Sequence, residues 1–96
     1  MKNTGENLDD ENLLSNLEDL LSQLNIEVRY EKGDFRGGIC RVGDDKICLL
    51  NKSLTAPQKN ILIAQSLVEE DLSDVFIVPA IRKFIESSGE QRRMEV

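Results

Sequence analysis

The chain has 96 residues, eighteen acidic against twelve basic, no histidine, no tryptophan and two cysteines, for a formal net charge of −6. That length fits one domain with a single core burying ~60–65% of the unfolded surface, and an apolar fraction of 40% is too high for wholesale disorder. The missing histidine excludes Ser-His-Asp and Cys-His catalysis and every histidine metal site, while the acidic balance argues against nucleic acid, whose phosphates reward Lys and Arg.

Residues 1–8 are polar, lack the apolar stretch of a secretory signal, and are expected to form a flexible segment ahead of one domain over 9–89. Asp9, Asp10 and Glu11 then place cap-type and acidic side chains where a helix N-terminus favours them. Leu13, Leu14, Leu17, Leu20, Leu21 and Leu24 recur at spacings of three and four, which predicts an amphipathic helix over 10–24. Asn25 is placed to close it in the left-handed conformation.

The period then changes to two. Ile26, Val28 and Tyr30 alternate with Glu27, Arg29 and Glu31, a strand with one wet face. A glycine-rich loop, Lys32 to Gly38, leads to two more strands over 38–42 and 47–51, joined by Gly43-Asp44-Asp45-Lys46 as a tight hairpin. With Asp44 and Asp45 at the turn, Val42 pairs with Ile47 and Cys40 with Leu49. Cys40, Val42, Ile47 and Leu49 then form a wholly apolar face, expected to meet the core. Ile39, Arg41, Cys48 and Leu50 form the other, mixed face.

Thr55 and Gln58 frame a capping box, with Pro57 in the first turn of a second helix running to about Glu69. Leu72-Ser73-Asp74 reads as a short turn before the apolar run Val75 to Val78. Pro79 opens a last helix with Ile81, Phe84 and Ile85 on one stripe, ended by Gly89, and 90–96 is expected to be a flexible charged tail. The expected fold is therefore α+β: an N-terminal helix, a three-stranded antiparallel meander, then two to three helices packed on one face of the sheet.

No segment approaches the roughly 18 consecutive apolar residues of a membrane span. Two cysteines without a signal point to the reducing cytoplasm and free thiols. In the odd-sum register Cys40 and Cys48 lie on opposite faces, although a one-residue bulge would bring them together. Phe35 in the glycine loop is either a lid over the core or an exposed contact. The acidic stretch Glu69, Glu70, Asp71 and Asp74 lacks the spacing of a calcium loop and reads as a solvated corner. No phosphate loop, dinucleotide fingerprint or nucleophile elbow is present, so no catalytic residue, metal or cofactor is assigned.

Gly38 to Glu69 resembles the middle of the ImmA/IrrE-type zinc metallopeptidases through its hairpin, the phrase Leu50-Asn51-Lys52-Ser53-Leu54 and the helix that follows. On that resemblance Gln65 stands at the first zinc-histidine position, Ser66 at the catalytic glutamate and Glu69 at the second histidine, which implies a degenerate scaffold without peptidase activity. Leu24 to Ile85 also resembles a group of short bacterial proteins, through Gly37 to Val42, Leu50-Asn51-Lys52 and Val78 to Arg82. That resemblance implies a fold and carries no activity.

The composite expectation is a small non-enzymatic protein acting by protein–protein contact, as a homodimer or an accessory subunit. Leu13, Leu17, Leu20, Ile39, Arg41, Cys48 and Leu50 are the candidate contact residues, because three helices compete for one small sheet. The alternative is a ligand or metal site built on Gln65, Glu69 and Arg41.

Overall fold

A computed structural model describes residues 9–94 and contains α1 (Asp10–Gln23), β1 (Ile26–Glu31), β2 (Gly37–Val42), β3 (Asp45–Asn51), α2 (Ala56–Leu67) and α3 (Pro79–Met94). The fold is α+β, as the alternation of periods predicts. The expected flexible segment over 1–8 and the last two tail residues lie outside the described residues.

Helix α1 starts where its cap residues stand: the Asp9 carboxylate accepts from the Asn12 N–H at 2.8 Å. Its stripe buries Leu13, Leu14, Leu17, Leu20 and Leu21, each worth about 1.5–3 kcal/mol relative to exposure. Asn25 ends it at φ 63°, in the left-handed region. Helix α2 begins with the reciprocal capping box: the Gln58 N–H donates to Thr55 Oγ1 at 3.3 Å, and the Thr55 N–H donates to Gln58 Oε1 at 2.9 Å. The Asn60 amide, buried, donates to the Asp10 carbonyl at 3.0 Å and ties α2 to the start of α1.

The sheet departs from the expected meander. Its order is β1-β3-β2, with β1 parallel and β2 antiparallel to β3, so the sheet is mixed. The cause lies in the β1–β2 loop, which crosses the end of β3 instead of turning back on β1. Asn51, the last residue of β3 and buried, donates to the carbonyls of Gly33 at 2.8 Å and Phe35 at 2.6 Å. Its Oδ1 accepts from the Ser53 N–H at 3.1 Å and the Ser53 hydroxyl at 2.9 Å. Every hydrogen-bonding atom of that amide is therefore used, and the crossing loop is fixed over the strand end. At Gly37 (φ 118°) a Cβ would lie 2.2 Å from the Leu49 carbonyl oxygen, so only glycine lets β2 enter the sheet there.

The hairpin turn sits one residue earlier than expected, which moves each β2 residue's partner two places along β3. Val42 pairs with Asp45 and Cys40 with Ile47, leaving Gly43 and Asp44 at the turn, with Gly43 at φ 64°. The pairing sum stays odd and runs without a bulge, so Cys40 and Cys48 remain on opposite faces, both free.

The core face is the reverse of the one expected. Cys48 and Leu50 are fully buried, whereas Cys40 and Val42 are exposed. The parallel register decides this: Ile26, Val28 and Tyr30 stand beside Lys46, Cys48 and Leu50, while Glu27, Arg29 and Glu31 stand beside Ile47, Leu49 and Asn51. Turning the apolar hairpin face inward would bury three charges. Burying the mixed face instead costs nothing in its middle, because Arg41 and Lys46 sit at the strand ends; Lys46 reaches Glu70 at 2.7 Å.

Helix α3 does not end at Gly89 and continues to Met94, so most of the expected tail is helical. Gly89 serves close packing instead: a Cβ there would lie 2.7 Å from Val68 Cγ2. Residues 68–78 connect α2 to α3 without a further helix. Ile77 of that connection is buried, while Phe76 stands exposed.

Candidate functional site

Two surfaces of the domain are candidates, and the first holds positions singled out from sequence. The first is a cleft of about 480 Å³ on the helix side of the sheet, lined by β2 from Gly37 to Ile39, by Arg36, and by Leu62, Gln65, Ser66, Glu69 and Glu70. Gln65, Ser66 and Glu69, the three positions placed at the motif by the metallopeptidase resemblance, thus share one cleft. A Cβ on Gly38 would reach Ser66 Oγ at 3.8 Å, which shows how closely the strand backbone approaches that turn of α2.

A catalytic zinc takes three protein ligands and an open position. Here the corresponding side chains are an amide, a hydroxyl and one carboxylate, and Glu70 beside them is paired with Lys46. Among the described residues no three His, Cys, Asp or Glu side chains converge on a metal position. The donor set does not fit a zinc centre.

The second surface is the sheet face away from the helices. Its rows, read across β1, β3 and β2, are Glu27–Ile47–Cys40 and Arg29–Leu49–Gly38, with Asp45 beside Val42 at one end and Glu31 beside Asn51 at the other. Ile47 is buried at 8% exposure and Leu49 half-buried, and neither belongs to the main cluster under the helices. Val42 is 57% exposed. The Glu27 carboxylate accepts from Arg29 Nε at 3.1 Å, and this exposed pair raises the arginine further above its ordinary value, first through that hydrogen bond.

The sequence-derived contact residues divide differently from expectation. Leu13, Leu17, Leu20, Cys48 and Leu50 are all inside the domain's own core, and Ile39 packs against it half-buried, so none presents a free apolar surface. The helices find room because they also pack on one another, α2 against both α1 and α3. Arg41 alone of that set is exposed, at the end of β2 opposite Lys46. Burial pushes the Cys48 thiol up to about 12, so it is held as an unreactive thiol. Tyr30 is raised too, first by burial and then by its hydroxyl donating to Glu18; Lys59 lies 4.9 Å from its ring centre. These contacts join α1, β1 and α2 and belong to the scaffold.

Two features escaped the sequence reading. Asn51 stood inside a quoted phrase, but its role depends on the loop crossing that the meander omitted. The open face follows from β1 lying parallel to β3, whereas an antiparallel meander sets β1 beside β2. No protein-family model matches the chain, and no curated protein or solved structure matches it, so both resemblances rest on the residues quoted for them.

Proposed function

We propose that the chain is a small non-enzymatic protein of the cytoplasm that works by protein–protein contact, as a homodimer or an accessory subunit, through the open face of its sheet. One observation carries this reading: Cys40 and Val42 are exposed and Leu49 half-buried around the buried Ile47, on the sheet face away from the helices. A contact surface of this type combines an apolar centre with a charged rim, and here the rim is Glu27, Arg29 and Glu31. The buried, proton-holding Cys48 and the absence of histidine support the non-enzymatic part. Among the described residues no helix is long and apolar enough to cross a membrane.

Placing a photo-cross-linking amino acid at position 42, and in a control at exposed Ser15 on α1, tests the reading in cells. A discrete adduct from position 42 alone is expected. No adduct, or equal adducts from both positions, overturns it.

A second reading, a small polar ligand held between β2 and α2, is favoured by the meeting of Gln65, Ser66 and Glu69 in one cleft. Its metal form is the weaker one, since Glu69 is the only one of the three with a charged oxygen donor. Calorimetric titration with Zn²⁺ is expected to give no stoichiometric heat; a one-to-one isotherm lost in Glu69→Gln would revive it.

A further inference from the structure

The pattern of side chains on the open face selects an occupant. We infer that a second copy of this chain packs on it face to face, about a two-fold axis that crosses the strands over the row Val28, Cys48 and Ile39; this rests on the reading of that face as the contact surface.

The side chains of the Val28 row point towards the helices, so the axis lies between two rows that point outward. On one side stand Glu27, Ile47 and Cys40, and on the other Arg29, Leu49 and Gly38. A half-turn about an in-plane axis perpendicular to the strands keeps each strand over its own counterpart and exchanges the two rows. Glu27 then meets Arg29 of the second copy, and Arg29 meets its Glu27. Ile47 meets Leu49. Cys40 comes over the β2 backbone at Gly38. One operator therefore satisfies opposite charge and apolar contact together, which is the reciprocal pairing that a two-fold contact requires.

Other placements do worse. Moving the axis one residue pair along, over Tyr30, Leu50 and Gly37, sets Leu49 against Asn51. Turning it parallel to the strands stacks the charged β1 row on Cys40 and Val42. The chain's own first eight residues are a poor cover, with Met1 and Leu8 their only large apolar side chains. The face is small: three strands of this length span roughly 14 by 20 Å, against about 800 Å² per partner in a standard interface. The dimer is accordingly a reversible, micromolar one.

Sedimentation velocity of the full chain from about 5 to about 500 μM tests this. The wild type is expected to pass from monomer to dimer. Glu27→Arg and Arg29→Glu, whose side chains are 60% and 50% exposed and can change without unfolding the domain, are each expected to raise the dissociation constant at least about tenfold. Mixed in equal amounts they are expected to dimerise again, because the doubly positive row of one then faces the doubly negative row of the other. A wild type that stays monomeric throughout, or a mixture that stays monomeric, overturns the inference. If position 42 still traps a different protein in that case, the contact-surface reading stands and the second copy alone is lost; if it traps nothing, both fall.

Discussion

Leu49 and Leu50 are neighbours in one strand with opposite fates. Leu50 is wholly buried in the core; Leu49 is half-buried on the open face and belongs to no core cluster. Nothing in the two residues distinguishes them. What differs is the residue that the parallel register sets beside each, Tyr30 for Leu50 and Arg29 for Leu49. The face of a strand is chosen by its neighbours' cost of burial as much as by its own gain, and a row of charges on an edge strand outweighs an apolar hairpin face.

The largest test of that contrast is truncation on each side. Leu50→Ala is expected to lose about 2–5 kcal/mol by urea unfolding, and Leu49→Ala under about 1 kcal/mol, since it leaves no closed cavity. Equal losses would mean that both faces are packed. Next comes the amide that fixes the strand order: Asn51→Ala leaves two loop carbonyls unpartnered and is expected to cost about 1–3 kcal/mol, with faster amide exchange confined to the loop over 32–36.

Alkaline pH separates the faces through their thiols. Burial raises Cys48 from 9.0 to about 12 in the folded state. The folded state keeps a proton that the unfolded chain releases, so this stabilisation is complete below pH 9 and is lost as pH rises towards 12. Tyr30, also raised, adds to the loss above pH 10. Urea midpoints at pH 8, 9.5 and 11 are expected to fall for the wild type and to fall less steeply for Cys48→Ala. The smallest effect belongs to the exposed side: Val42→Glu is expected to leave the monomer's stability within about 0.5 kcal/mol while weakening any contact made by the open face.

The leucine spacing, Asp9, Asn25 and the Thr55–Gln58 box placed α1 and α2 correctly, because those signals are local and their geometry is fixed by the backbone. The alternation of β1 and the odd pairing sum of the hairpin were also legible, and they separate Cys40 from Cys48. The strand order was not. It depends on a side chain at the end of β3 holding a loop sixteen to eighteen residues earlier in the chain, and no period of two or 3.6 encodes that. Gly89 misled for a related reason. Glycine after an apolar stripe is the local sign of a helix end, but here it admits Val68, just past the end of α2. The candidate cleft is legible only as Gln65 and Ser66 on α2 and Glu69 just past its end, and the edge of β2 completes it.

The most direct test of the two-faced sheet and its contact is the alkylation rate of each cysteine as a function of protein concentration, read by mass spectrometry. Cys40, exposed on the open face, is expected to react readily in dilute solution and progressively more slowly as the protein is concentrated and that face is covered. Cys48 is expected to stay unreactive at every concentration until the chain unfolds. A Cys40 rate that does not change with concentration, or a Cys48 that reacts in the folded protein, would contradict the account.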